Sequence, residues 1–330
     1  MFDVAEQNIL TGLDLWAGDR VAADAHRRIG QVLYDALTAD SEGAVALRTV
    51  RDSAAAQGQA VTYMLRFPPE AIQLMMLPWE LLWDAHGPLL LSRGKLAPCL
   101  RYLDLDIPLP PSPPAKHALR ILALAPHAGI DKRTHAEEQA ALRSAWEPLI
   151  AASTVALDEL SPVTPTILVD RLQDGPPIDV LHFYGHGRYH DGQGALLFDS
   201  ESGGRQWLSA DRLDKLLSGV RLVVLHACRS AMVSEAGLLS GVASALSAAG
   251  VPAVVAMQIT VRVPAATRFA TVLYRSLARG VSLQRAVGQA RQALYVEEQD
   301  GVSWFVPTLT IRARTTEPLY LVDSSQRGTL

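Results

Sequence analysis

From residue 119 to residue 311, short apolar runs alternate with helix-length stretches, and this alternation restricts the fold more than any other feature. Runs of strand length occupy 119–124, 155–160, 180–184, 222–227 and 253–257, with a last one at 304–311 that Pro307 interrupts. Stretches at 136–151, 164–172, 210–217, 238–249, 265–278 and 283–297 read as helices. Strands separated by helices imply a largely parallel sheet covered on both faces. A chain of 330 residues with 49% hydrophobic content is long enough to bury such a core.

Two of these runs stop at reactive side chains. The run at 180–184 passes into Gly185-His186-Gly187, and the run at 222–227 into Cys228-Arg229-Ser230. An open α/β sheet places its chemistry at the carboxyl ends of its strands. A thiolate is a good nucleophile, and a nearby imidazole can take the thiol proton and pass it to a leaving amine. His186 and Cys228 are 42 residues apart, so only the fold can bring them together. Two neighbouring parallel strands would do so, joined by a β-hairpin (195–198 and 206–208) and the helix at 210–217. Gly185 and Gly187 permit a tight turn, and the N–H groups of Gly187 and Cys228 are candidates for an oxyanion hole. The competing interpretation is a structural histidine and a structural cysteine in a core.

The first third has a different pattern. Residues 3–58 read as helical: at 21–37, Val21, Ala25, Ile29, Val32 and Leu33 share one face, the cluster at 40–43 breaks the helix, and a weaker one follows at 44–56. Residues 61–67 alternate as a half-buried strand, 70–76 read as a short helix, and 89–91 as another strand. Residues 77–83 read as a helix with Pro78 in its first turn and Glu80 as a buried, partnered carboxylate. Five prolines in the eight residues 107–114 mark a linker. The expected organisation is therefore a helical segment (1–58), a strand–helix–strand part (59–106), a linker (107–115), an α/β core (116–322) and a tail (323–330).

Several classes are disfavoured. Charged residues are 19% of the chain and the net charge is −4, with no basic stripe, so a nucleic-acid partner is not expected. The two cysteines, Cys99 and Cys228, form no CxxC or Cys/His cluster, and no metal or cofactor is expected. A reducing cytoplasm is the expected compartment, since Asp3 and Glu6 spoil any secretion signal at 1–10. Residues 236–261 carry no charge and could cross a bilayer by length, yet Gly241, Gly250, Pro252 and several serines interrupt them. A buried helix closed by Gly250 and followed by a core strand is the expectation, with no membrane span. Gly185-His186-Gly187 lacks the third glycine of a dinucleotide-binding turn.

His182-Phe183-Tyr184-Gly185-His186-Gly187, Gly194-Ala195-Leu196-Leu197-Phe198 and Leu225-His226-Ala227-Cys228 resemble motifs of the CHAT domain, a caspase-like peptidase group related to separases. Residues 77–82 are similar to the family's Pro-Trp-Glu motif, and 248–258 to its segment after the cysteine, so the resemblance covers about residues 60–312. It implies a caspase–haemoglobinase-like α/β fold, a mostly parallel sheet sandwiched by helices, here with an N-terminal helical/β subdomain. It further implies a cysteine endopeptidase acting through a thioester, with His186 as acid/base and Cys228 as nucleophile, on a specific protein substrate. Many CHAT proteins act in bacterial defence or cell-death circuits, which implies an activating protein or sensor. A caspase-like scaffold that binds a partner without cutting is the alternative.

Two departures bear on specificity. Where relatives that cut after Arg or Lys often carry an acid two residues before the nucleophile, this chain has His226; where the family usually reads Ser-Asp-Glu, it has Arg262-Val263-Pro264. The pocket is expected to take an acidic or uncharged side chain, unless both residues merely pack or cap. Asp191 is a further pocket candidate, although Asp191, Asp199 and Glu235 taken singly are each expected to be solvated.

Overall fold

An eight-stranded sheet runs through the molecule. The computed structural model describes residues 16–17, 20–21, 24–59, 61–92, 95–105, 113–190, 192–227, 238–258, 263–297, 303–312 and 318–323. The strands are β1 (Tyr63–Phe67), β2 (Cys99–Leu103), β3 (Leu119–Leu124), β4 (Val155–Leu160) and β5 (Val180–Gly185). A small antiparallel sheet follows: β6 (Gly187–His190), β7 (Gln193–Asp199) and β8 (Arg205–Ser209). Then come β9 (Leu222–Ala227), β10 (Ala253–Met257) and β11 (Pro307–Ile311). The main sheet has the order β4-β3-β5-β9-β10-β11-β2-β1, and of its seven junctions only β10–β11 is antiparallel. This is the expected mostly parallel α/β sheet. The strands on either side of the proline-rich stretch belong to it together.

The described helices longer than a single turn are α1 (Ala25–Leu37), α2 (Ser41–Ala56), α3 (Lys132–Ala151), α4 (Pro165–Asp174), α5 (Ala210–Leu216), α6 (Leu238–Ala249), α7 (Val263–Ala278) and α8 (Leu283–Glu297). Alternate residues of β5 point to opposite faces, which identifies both layers. His182 meets Trp146 of α3 and Tyr274 of α7 on one face, while Phe183 meets Phe198 of β7 on the other. Every residue of β5 and β10 is buried, as parallel strands covered on both sides require. The uncharged stretch at 236–261 becomes α6 and β10, and among the described residues no helix is long and apolar enough to cross a membrane.

Some expectations are corrected. Trp16–Ala17 and Arg20–Val21 pair as two short strands, so the N-terminal segment is not wholly helical and α1 begins at Ala25. Asp40 accepts the Glu42 N–H and starts α2 at Ser41, earlier than periodicity suggests. Residues 77–83 form a single 3-10 turn, Trp79–Leu81, because Leu82 turns extended and its carbonyl takes the Leu89 N–H. Only Leu91–Ser92 is strand where 89–91 was expected. Trp304 and Phe305 lie in a 3-10 turn, and Pro307 opens β11 rather than interrupting it.

Candidate active site

The in-register pairing of β5 with β9 sets up the site. Gly185 and Ala227, the last residues of the two strands, are Cα partners. His186 follows β5 directly and leaves the sheet at that edge, and Cys228 is the residue next in sequence after β9. Cys228 lies outside the described residues, as do Asp191, Glu235 and Arg262.

His186 is 7% exposed, and its Nε2 lies 3.1 Å from the carbonyl oxygen of Gly129. A carbonyl oxygen only accepts, so the hydrogen is on Nε2 and Nδ1 of the neutral ring keeps its lone pair. Gly129 sits in the loop leaving β3, at the same edge, with φ +83. A Cβ there would stand 2.8 Å from His186 Cδ2, so only glycine allows this approach.

That loop is held from several sides. The Ala125 carbonyl accepts from the Ser161 hydroxyl and from His135 Nε2, both at 3.0 Å. The Asp199 carboxylate accepts the backbone N–H groups of His127, at 3.1 Å, and Val163, at 2.8 Å. Asp199 is therefore buried and engaged, which corrects its expected solvated place on a loop. Sequence reasoning also missed Gly129. Its position just beyond the carboxyl end of a core strand was the signal available for it.

Gly187 opens β6. The Leu197 N–H bonds the His186 carbonyl at 2.9 Å, making 186 and 197 a hydrogen-bonded pair. The next pair, Gly187 and Leu196, is then the non-hydrogen-bonded kind, so the Gly187 N–H points away from β7. A Cβ on Gly187 would lie 2.5 Å from Leu239 Cδ2, so glycine also admits α6.

His226 is 6% exposed and lies edge-on to Tyr184 at 5.4 Å and to His182 at 5.9 Å. Burial pushes its pKa down to about 4, and burial also holds His182 well below the usual imidazole range. Both rings are neutral at pH 7. The Tyr274 hydroxyl is 2.7 Å from His182 Nδ1, and burial raises that phenol well above its ordinary value.

A second buried polar cluster reaches this edge from the N-terminal strands. Glu80 is fully buried and takes Arg101 Nη2 at 2.5 Å, Arg291 Nη2 at 3.2 Å and Gln258 Nε2 at 3.1 Å. Arg101 also reaches the Met75 carbonyl, and Arg291 those of Pro307 and Cys99. Gln258, the first residue past β10, bonds the Phe305 carbonyl at 2.7 Å as well. Cys99 is an unlikely nucleophile by its setting: burial pushes its thiol up to about 12. Among the described residues no group of three or more His, Cys, Asp or Glu could hold a metal ion.

A family profile described as CHAT domain matches residues 27–319. No curated protein matches the chain. Among solved structures, similar chains include separase in the separase–securin complex of Saccharomyces cerevisiae, with 14% identity and TM-score 0.44. That match covers 79% of this chain and 16% of separase, so the chain spans about one sixth of that relative's length. The Arg-specific cysteine proteinase gingipain R of Porphyromonas gingivalis matches at 12% identity and TM-score 0.41, over 91% of this chain and 69% of that one. Caspase-1 from Spodoptera frugiperda matches at 12% identity and TM-score 0.36, over 67% and 98%.

Proposed function

The chain belongs to the CHAT domain family, and on that premise we propose that it is a cysteine endopeptidase working at the β5–β9 edge. The Cys228 thiol gives its proton to His186 and its sulfur attacks the scissile carbonyl. The N–H groups of Gly187 and Cys228 stabilise the oxyanion, and His186 returns the proton to the leaving amine. Water, deprotonated by the same imidazole, then cleaves the thioester and restores the thiol. The Gly129 carbonyl keeps the tautomer in which Nδ1 is the base.

The observation that carries this reading is the pairing of Gly185 with Ala227 together with the His186–Gly129 hydrogen bond. One holds the ends of the two strands in register, and the other prepares an imidazole for proton transfer. We assign the side-chain pocket to His226, Arg262 and Asp191, with a preference for an acidic or uncharged residue before the scissile bond. His226 stays neutral at pH 7, and no acid takes its position. The cellular role that fits the family is a regulated cytoplasmic effector in bacterial defence or cell death, released by an activating protein.

The test is labelling by peptide-directed thiol reagents carrying Asp, a neutral residue or Arg next to the reactive group. Stoichiometric labelling by the first two, lost in Cys228→Ala and slowed in His186→Ala, supports the reading. Unchanged labelling in His186→Ala would contradict the dyad, and preferential labelling by the Arg reagent would contradict the pocket.

A further inference from the structure

A groove of about 450 Å3 lies between α7 and α8, lined by residues other than those named at the catalytic edge above. Arg268 and Arg275 line it from two turns apart on α7, and Arg279, the residue just past the helix, lines it at the same end as Arg275. At a rise of 1.5 Å per residue Arg268 and Arg275 stand about 10 Å apart along α7. An extended peptide covers that distance in roughly three residues.

The charges in the groove are unevenly satisfied. Arg268 is paired with Glu297 at the far end of α8. The side chains of Arg275 and Arg279 make no hydrogen bond or ion pair among the described residues; Arg275 is half-buried and Arg279 exposed. A guanidinium partly removed from water without a counter-charge is costly, and a carboxylate matches its planar fork of donors. Between the arginines the groove has an apolar floor of Val272, with Val296, 69% exposed, on the opposite wall. Gln289 accepts the Ser276 hydroxyl at 2.8 Å through Oε1, which leaves its amide hydrogens available for a peptide carbonyl.

We propose that the α7–α8 groove binds an acidic peptide segment of a partner protein, with carboxylates on Arg275 and Arg279 and an apolar side chain against Val272 and Val296. Val272 and the exposed Val296 offer an apolar contact that a small inorganic anion cannot use. The lining holds no aromatic ring on which bases could stack, which favours a peptide over single-stranded nucleic acid. The inference is independent of the peptidase reading.

The experiment is fluorescence anisotropy with the full chain and a labelled octapeptide alternating Glu and Val. A Lys/Val octapeptide, a short oligothymidine and inorganic phosphate as competitor serve as the other arms. The expected result is salt-dependent binding of the Glu/Val peptide that weakens at least tenfold in the Arg275→Gln, Arg279→Gln double variant. Thermal melting and Cys228 labelling of that variant should match the parent chain. No binding, equal binding by the double variant, tighter binding of the oligothymidine, or displacement by equimolar phosphate would each overturn the proposal.

Discussion

Two polar clusters are buried behind the same sheet edge, and they meet burial in opposite ways. Around Glu80 the groups are paired, and the carboxylate is surrounded by two guanidinium groups and the Gln258 amide. Around His182 and His226 burial suppresses the charge, and the rings pack against Tyr184, Trp146 and Tyr274. The ionic cluster depends on every member, because a buried ion without its partner is far more expensive than a buried pair. Each cluster leaves a gap among the described residues: Nε2 of His182 and Nε1 of Trp146 in the neutral one, and Nε of Arg101 in the ionic one, have no hydrogen-bond partner. One region therefore gains its definition from charge pairing across distant segments, and the other from keeping protons away.

The largest effect should come from Glu80→Gln, which leaves two guanidinium groups buried against a neutral amide. It should lower stability by about 3–5 kcal/mol in urea unfolding. A loss below about 1 kcal/mol would mean that the cluster is not held by charge.

Acid should reach the other cluster instead. The unfolded chain takes up protons at the ordinary imidazole value of about 6.5, while folded His226 resists them until about 4. Stability therefore falls as the pH drops through that window and is unaffected by this group above it. For His226 the loss is about 3 kcal/mol. His226→Leu should flatten the stability profile between those two values, and an unchanged slope would place the acid sensitivity elsewhere.

The loop beside the neutral cluster gives the next effect. Gly129→Ala puts a methyl group against His186 and should slow Cys228 labelling by roughly 10- to 100-fold, as a misplacement of about 1 Å does. Labelling at the parent rate would show that His186 does not need this carbonyl. Tyr274→Phe should be the mildest, about 1 kcal/mol in urea unfolding, since one neutral hydrogen bond to His182 is lost.

The same contrast explains what could be read from the chain alone. The limits of α8 and β10 match the periodicity to the residue, because helix and strand patterns are local. That Glu80 would be buried and partnered followed from its apolar neighbours. Its partners did not, since Arg101 is 21 residues away and Arg291 is 211. The 3-10 turn at Trp79–Leu81 replaced an expected helix because the Leu82 carbonyl is taken by the Leu89 N–H, a pairing outside the helical pattern. His186 and its glycines were legible at a strand end. The Gly129 carbonyl was not, because a backbone atom leaves no mark in side-chain sequence.

The central claim is that the β5–β9 edge cuts peptide bonds through Cys228. Its most direct test is to co-express the chain with proteins encoded beside its gene and sequence the new protein N-termini that appear. The account predicts one or a few cuts, following acidic or uncharged residues, that vanish in Cys228→Ala and in His186→Ala. Cuts that persist in Cys228→Ala, or none in the parent chain while a partner still binds it, would contradict the claim and leave a scaffold in its place.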